Sequence, residues 1–371
     1  MPETFVAAEE LGRFARRAFA AAGLTERHAT AGAETLMWAS LRGVDTHGIR
    51  NLRRYYLSGI EEGLLQADAV FPSLHETPIA VRIDGQSGVG LCAATAAMER
   101  AIEKANALGA GFATVCNSHH FGAAGRFADM ACDRGMLGIC LTGCFFAHGQ
   151  DKAVVPYGGA SPMLSTNPIA FACPSACGRP LVLDMATSIS PLNRLELFDE
   201  LSRSVPLGWA LDEDGRPTSD PGAVHAMTPL GGVGDQGGHK GYGLALMVQV
   251  LTGVLSGAWG VWGKADNVYG DDKTPFQGHV HNGVAHFMAA IRIDSFLPVD
   301  TFQTAVSAMA AALQESPPAA GFERVMVSGQ REWETLQRRA VEGVPLPGHV
   351  WQDLCETAEH WGVAAPTPIS R

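Results

Sequence analysis

The chain has 371 residues, of which 46% are hydrophobic and 18% charged, and its formal net charge is -11. This length and hydrophobic content predict an ordinary globular protein with two domains. The acidic balance argues against a nucleic-acid or anionic-membrane partner, because phosphate binding requires clustered Lys and Arg. The amphipathic start and the absence of an apolar run of about 18 residues predict a cytoplasmic protein without a membrane segment. The eight cysteines show no CxxC spacing, so we expect reduced thiols.

The first part of the chain shows helical periodicity in three segments, which are residues 5–22, 26–42 and 47–60. In the third segment, His47, Asn51 and Tyr55 have the spacing i, i+4 and i+8, and on a helix they would form one polar stripe. Such a stripe is ordinarily a solvated face. Gly48, directly after His47, disfavours a helix and indicates close approach of a ligand or of another backbone.

From residue 79 onwards, short apolar strands alternate with helices, which is typical of an α/β domain. Strands are predicted at 79–83, 112–116, 137–142, 181–183 and 283–293, and helices at 91–108, 123–134, 242–255, 301–313, 332–340 and 350–360. Residues 207–238, rich in Gly, Pro and Asp, are predicted as a long loop. Because chain termini often lie close together, we expect the last helices to pack on the first ones. We therefore predict an α/β domain over residues 73–298 and a helical lobe formed by residues 1–72 and 299–371.

The segment Asn117-Ser118-His119-His120-Phe121-Gly122 places two imidazoles between a predicted buried strand and a small-residue turn. A strand end fixes a side chain while the following loop leaves it accessible to a substrate. Imidazole has an ordinary pKa of about 6.5 and both donates and accepts protons near neutral pH. If the strand continues, His119 and His120 point to opposite faces, so we expect at most one of them to be catalytic.

Two glycine-rich motifs resemble nucleotide-binding loops. Gly88-Val89-Gly90-Leu91-Cys92-Ala93 fits GxGxxA between a strand and a helix, but no acidic residue follows the next strand to bind a ribose. A glycine that lets the helix start close to the strand explains this motif better than a Rossmann site. Gly237-Gly238-His239-Lys240-Gly241 lacks the Ser or Thr of a Walker A loop. Lys240 and the helix start either bind an anionic group such as a pyrophosphate or are simply solvated.

Three histidines invite a metal interpretation. On a strand His279 and His281 would share a face and His286 would lie on the other, and no carboxylate or thiolate nearby completes a ligand set. We therefore predict surface or packing histidines and no metal site.

Six stretches of the chain resemble, in order, the successive motifs of the malate/L-lactate dehydrogenase family, and they are LRGVDTHGIRNLRRYY, NSHHFGAAGRFADMA, VPYGGASPMLSTNPIAFACP, LDMATS, PLGWALDEDGRPTSDP and GGHKGYGLALM. That family also includes ureidoglycolate, sulfolactate and diketogulonate oxidoreductases and cyclic ketimine reductases. The resemblance implies a homodimeric oxidoreductase that uses NAD or NADP and binds it in a mixed-sheet, non-Rossmann α/β domain. It implies a small carboxylate substrate, either a 2-oxo/2-hydroxy acid or a cyclic ketimine carboxylate.

The resemblance also implies roles for single residues. His120 matches the proton donor and acceptor, and Ser118 belongs to the same motif. His47 matches a second histidine that binds substrate or, in some members, transfers the proton, and Tyr55 matches a substrate-side tyrosine. Cofactor contacts are expected at Thr166, Asp184, Met185, Ala186, Thr187, Ser188, His239, Lys240, Gly329 and Gln330.

The chain departs from the family pattern next to these residues. Thr46 stands where many relatives have Ser before the histidine, and Asn51 stands where relatives have a carboxylate-binding Arg. Cys144 and Phe145 replace polar contacts of some members. On a continuous helix Arg54 would lie about 20° and Arg50 about 60° from His47 around the axis, so either is a candidate for the missing cation. We expect a substrate bulkier than malate or lactate, or one that holds its carboxylate differently. The alternative of another class is a cofactor-binding homologue without turnover.

Overall fold

The computed structural model describes residues 3–144, 153–191, 194–195, 198–199, 202–258 and 283–369. It begins with strand β1 (Thr4–Val6) and helices α1 (Ala8–Ala21) and α2 (Glu26–Leu41). The Thr25 side chain accepts a hydrogen bond from the His28 backbone N–H and caps α2. Both long helices agree with the periodicity of the sequence.

The segment 47–60 is not the continuous α-helix that the sequence predicted. It contains a 3-10 turn at Asp45–His47, a π-helical turn at Leu52–Leu57 and the short helix α3 (Ser58–Glu61). The Ser40 hydroxyl accepts a hydrogen bond from the Ile49 N–H at 2.8 Å and fills the space that a Cβ at Gly48 would need. This contact turns the chain after His47. The single polar stripe, and the positions of Arg50 and Arg54 around one helix axis, were therefore wrong.

The central part of the chain forms a mixed seven-stranded sheet with two helices packed on it. The elements are β2 (Ser73–Glu76), β3 (Ala80–Asp84), α4 (Gly90–Leu108), β4 (Ala110–Ser118), α5 (Ala124–Cys132), β5 (Met136–Cys144), β6 (Ile169–Cys173), β7 (Leu181–Met185) and β11 (Val284–Arg292). The strand order is β2-β3-β4-β11-β5-β6-β7, in which the β3–β4 pair is parallel and the other neighbouring pairs are antiparallel. Residues of α4 and α5 share one buried apolar cluster with alternate residues of these strands.

The segment 207–238, predicted as a loop, contains a small three-stranded sheet of β8 (Ala210–Leu211), β9 (Pro217–Thr218) and β10 (Ala226–Met227). Helix α6 (Gly238–Gln249) follows it and continues into a π-helical turn at Val250–Val254. The remaining elements are α7 (Val299–Gln314), α8 (Gln330–Glu342), β12 (Val344–Leu346) and α9 (Gly348–His360).

The two ends of the chain meet. Strand β12 pairs antiparallel with β1, and Val350 and Leu354 of α9 lie in the same buried cluster as Leu11 and Phe14 of α1. This packing of the last helix on the first helices agrees with the expectation from the sequence. Helix α7 instead contacts the turn after β6, where the Ala176 N–H donates to the Gln303 carbonyl. The proposed domain limits remain a prediction.

No helix in the described part of the chain has the length and apolar character needed to span a bilayer. Among the same residues no group of three or more His, Cys, Asp or Glu side chains is arranged to hold a metal ion. His279 and His281 lie outside the described residues.

Candidate active site

Several of the predicted functional residues lie at one edge of the sheet, together with Thr142 of β5. Strands β4, β5 and β7 end at this edge, and β6 and β11, which run in the opposite direction, begin there. The edge therefore collects Ser118 at the end of β4, Thr142 near the end of β5, Thr166 before β6 and Asp184 near the end of β7. This topology brings together motifs that lie far apart in the sequence.

His120 lies in a cluster of aromatic side chains. Its Nδ1 is 2.7 Å from the Tyr56 hydroxyl, and its ring stacks with those of Tyr55 and His47 at centroid distances of 4.9 and 5.7 Å. Loss of hydration holds the pKa of His120 well below its usual range, and the neighbouring histidines lower it further. His120 is therefore a neutral imidazole near neutral pH.

His47 is the second imidazole of the cluster. Its Nδ1 is 2.9 Å from the Thr46 hydroxyl, and desolvation lowers its pKa to about 4. The structure thus brings the two predicted histidines together, although they come from different parts of the chain. Thr46 therefore provides a hydroxyl beside His47, as the Ser of many relatives would.

Tyr56 is a site residue that sequence reasoning missed. Its side chain is fully buried, and burial raises the pKa of its hydroxyl well above the usual range. Tyr55 was named instead because the family resemblance implies a substrate-side tyrosine there and because it has i+8 spacing from His47 on a continuous α-helix. The π-helical turn at Leu52–Leu57 contains an extra residue per turn, and it places the adjacent tyrosine against His120. The Tyr55-Tyr56 pair was the available signal.

Asn51 and the two candidate arginines differ in their exposure to solvent. Asn51 is 1% exposed, its Nδ2 donates to the Thr46 carbonyl at 2.7 Å, and its buried Oδ1 has no partner among the described residues. Asn51 therefore steadies the backbone beside His47. The exposed Arg54 guanidinium lies over the Tyr55 ring at 5.2 Å, and Arg50 is partly exposed.

Ser118 is completely buried, and its hydroxyl lies 2.7 Å from Nε2 of His286, which is also completely buried. His286 is thus a packing histidine, as predicted, but it bonds directly to the motif that carries His120. Gly90, at the start of α4, packs against the backbone carbonyls of His119 and His120, and a Cβ there would collide with both. The GxGxxA motif therefore serves close helix packing, in agreement with the sequence interpretation.

The segment 184–188, which was predicted to contact the cofactor, is held by hydrogen bonds to neighbouring backbone groups. The Thr187 N–H and hydroxyl both donate to the Thr166 carbonyl, at 2.9 and 3.1 Å, and the Ser188 hydroxyl donates to the Ser190 carbonyl. Asp184 is exposed, and its Oδ2 accepts the Gly125 N–H at 2.8 Å in the first turn of α5. Met185 and Ala186, which connect Asp184 to Thr187, are partly exposed.

The start of α6 lies beside this segment, because the Leu230 N–H donates to the Thr187 carbonyl at 2.8 Å and a Cβ at Gly241 would collide with the Leu230 carbonyl. His239 and Lys240 are exposed in the first turn of α6. Within the described residues Lys240 makes no ion pair. A cation in the first turn of a helix is suited to an anion, because the helix dipole favours negative charge there.

Gly329 and Gln330 lie next to Val182 of β7. Gly329 has φ 80°, and a Cβ there would approach the Val182 carbonyl to 2.8 Å. The Gln330 side chain accepts from Gln314 and donates to Glu334, so its polar atoms already have partners within the chain. Cys144 ends β5 at the same sheet edge, and Phe145 lies outside the described residues.

The chain matches the malate/L-lactate dehydrogenase family over residues 6–355. It is 37% identical to a malate dehydrogenase of Pyrococcus abyssi over 365 residues, which cover 96% of this chain and 94% of that protein. The chain belongs to the malate/L-lactate dehydrogenase family.

Solved structures of related enzymes have the same fold. The malate dehydrogenase of Pyrococcus horikoshii superposes with a TM-score of 0.83 at 35% identity, covering 98% of this chain and 97% of that one. A delta1-piperideine-2-carboxylate reductase of Pseudomonas syringae superposes with a TM-score of 0.77 at 26% identity, covering 95% and 99%. As a member of this dehydrogenase family, the chain is an oxidoreductase acting on CH–OH groups.

Family membership implies a nicotinamide cofactor, and the donor set at the sheet edge fits one. The Asp184 carboxylate is exposed with one oxygen bonded to Gly125, so the other suits cofactor hydroxyl or amide groups. Lys240, exposed at the start of α6, would supply a cation for phosphate. These two groups lie on neighbouring segments, as the recognition of a molecule with both kinds of group requires.

Proposed function

We propose that the protein is an NAD- or NADP-dependent oxidoreductase that interconverts a 2-oxo and a 2-hydroxy acid, with His120 as the proton donor and acceptor. The observation that carries this proposal is the hydrogen bond between Tyr56 and His120 Nδ1. It fixes the ring and leaves Nε2 for a substrate, since no described residue is bonded to that atom. His47 and Thr46 flank the same space.

The depressed pKa of His120 determines its task in each direction. In oxidation, the neutral ring carries its one proton on Nδ1, where it donates to the Tyr56 oxygen, and it accepts the substrate hydroxyl proton at Nε2. In reduction, the protonated ring returns that proton to the substrate oxygen. The Tyr56 hydroxyl remains protonated because burial raises its pKa, and its oxygen accepts from Nδ1–H of His120 in both directions. The bound nicotinamide supplies or takes up the hydride.

The substrate is proposed to differ from small keto acids. Asn51 is a neutral residue at the position where relatives have an arginine that binds the substrate carboxylate. One of the two N–H groups of its side-chain amide already donates to the Thr46 carbonyl. Arg54 is exposed and lies over Tyr55, so it is the cation that we propose for the substrate carboxylate. A carboxylate held by Arg54 would extend past the Tyr55 ring, which favours a longer or bulkier acid.

The second candidate is reduction of a cyclic ketimine carboxylate, which the similarity to the piperideine-carboxylate reductase favours. The third candidate is a protein that binds the cofactor but has lost turnover. It is motivated by Asn51, which replaces the carboxylate-binding arginine of relatives. Absorbance of the reduced nicotinamide, recorded with NADH and NADPH over a panel of keto acids and cyclic ketimines, separates the three. Turnover of keto acids supports the first candidate, turnover of imines alone supports the second, and calorimetric cofactor binding without turnover supports the third.

A homodimer is also proposed. Met247, Val250 and Val254 form an apolar row on the outer side of α6 and the following turn, and they are 43, 55 and 49% exposed in the described part of the chain. A second copy of the chain would cover this row. Light scattering should give twice the chain mass for the wild type and the chain mass for Val250→Glu, and a monomeric wild type would contradict the proposal.

A further inference from the structure

His286 links three strands through its ring nitrogens. Nε2 lies 2.7 Å from the Ser118 hydroxyl of β4, and Nδ1 lies 2.9 Å from the Thr142 hydroxyl of β5. The ring is completely buried, and desolvation lowers its pKa to about 3. It is therefore neutral during turnover and carries one ring proton.

The surrounding groups fix the position of that proton. The Ala285 carbonyl can only accept, and the Thr142 hydroxyl donates its single proton to it at 3.1 Å. Thr142 must then accept from His286 Nδ1–H, which leaves Nε2 as an acceptor. The Ser118 hydroxyl consequently donates to Nε2, and its orientation is set by a residue of another strand.

The same ring holds the His120 segment at a second point. Phe121 stacks on His286 with a centroid distance of 4.6 Å and an interplanar angle of 6°. His120 lies between these two contacts in the sequence. Asn117, at the start of the segment, adopts φ 51°, a left-handed conformation that Asn tolerates better than most residues with a side chain.

A local irregularity of the sheet places His286 there. Val284 pairs with Ser118 and His286 with Val115, so the register between β11 and β4 shifts by one residue. On the other side of β11 the pairing with β5 stays regular, with His286 opposite Thr142. The bulge therefore directs this ring towards Ser118 without disturbing its bond to Thr142.

We propose that His286 is a positioning residue for proton transfer, which holds His120 in place through its hydrogen bond to Ser118 and its stacking on Phe121. The inference rests on the proposed role of His120. It assigns Ser118 to the same positioning unit, because its buried hydroxyl is committed to His286 and does not reach a substrate.

Three variants separate the two contacts. His286→Phe keeps a ring beside Phe121 but removes both nitrogens, and we expect kcat to fall roughly 10- to 100-fold with KM and cofactor Kd nearly unchanged. Ser118→Ala should lower kcat by a similar factor, and the double variant should lose no more than either single one. His286→Gln offers an amide oxygen to Ser118 and should recover kcat to within about fivefold of the wild type.

Phe287→Leu is the matched control. Phe287 is the next residue of β11, points to the opposite face of the sheet and contacts Phe112. It should lower Tm without changing kcat. If His286→Phe behaves like this control, or if its effect and that of Ser118→Ala multiply in the double variant, the positioning role is wrong.

A readout without turnover distinguishes this inference from the proposed function. Long-range proton–nitrogen NMR correlations of the histidine rings should show His286 as the Nδ1–H tautomer, and the ring signals of His120 should shift or broaden in His286→Phe but not in Phe287→Leu. These results would support the positioning role even if no substrate were turned over. Unchanged His120 signals in His286→Phe would overturn it, whatever the activity.

Discussion

Replacement of Tyr56 by Phe tests the hydrogen bond on which the proposed proton transfer depends. The variant keeps the buried ring and removes only the hydroxyl that lies 2.7 Å from His120 Nδ1. When His120 carries the transferred proton, this bond is made to a charged group and is worth about 1.5–3 kcal/mol. Its loss should lower kcat/KM roughly 10- to 150-fold. The pKa of His120 should fall further, because the charged form loses its acceptor.

Steady-state kinetics on the best substrate of the panel, measured over a range of pH, provides the assay. Tyr55→Phe is the matched control, since the Tyr55 ring stacks on His120 while no described residue accepts from its hydroxyl. We expect Tyr55→Phe to alter KM more than kcat. Urea unfolding should show that Tyr56→Phe costs only about 1 kcal/mol of stability. A Tyr56→Phe enzyme with kcat/KM within about twofold of wild type would refute the reasoning.

Three further predictions concern stability and cofactor binding. His286 has a folded-state pKa of about 3, below its unfolded value of about 6.5, so the stability that its neutral ring contributes is complete above about pH 6.5 and falls as the pH decreases below it. Between about pH 7 and 5 the free energy of unfolding of the wild type in urea should therefore fall by about 2 kcal/mol more than that of His286→Phe. An equal pH dependence of the two proteins would contradict this. Gly90→Ala drives a Cβ into the carbonyls of His119 and His120 and should cost about 3 kcal/mol or more together with most activity, whereas wild-type stability would show that α4 can shift. Lys240→Met should weaken NADH or NADPH binding roughly 3- to 30-fold by calorimetry with little change in kcat, and unchanged affinity would remove Lys240 from the site.

The sequence predicted the parts of the fold that local patterns determine. Helices α1, α2 and α4 have clear periodicity, and Thr25 marks the start of α2. Gly48 indicated a close approach after His47, but its partner, the Ser40 hydroxyl in α2, could not be identified from the sequence. The strands of the small sheet at 210–227 are two residues long, which is too short for a periodic signal. Strand β6 also went unpredicted.

In the candidate site, too, residues within continuous motifs were predicted, whereas those that depend on contacts between distant segments were missed. The motif around His120 and the segment at Asp184 were found because each is continuous in sequence. Tyr56 was missed because a π-helical turn shifts the register by one residue. The bond between His286 and Ser118 depends on the pairing of β11 with β4 and on a bulge within it, and pairing between distant strands leaves no local signal.

The most direct test of proton transfer by His120 compares His120→Ala and His47→Ala in pH profiles of kcat and in cofactor affinity. We predict that His120→Ala lowers kcat roughly 10²- to 10⁴-fold, with NADH or NADPH affinity nearly unchanged. The wild-type acid limb for oxidation should lie below the ordinary histidine pKa of about 6.5, since burial lowers the pKa of His120, and it should be lost in this variant. The opposite pattern, in which His47→Ala abolishes turnover and the acid limb while His120→Ala retains both, would contradict the account.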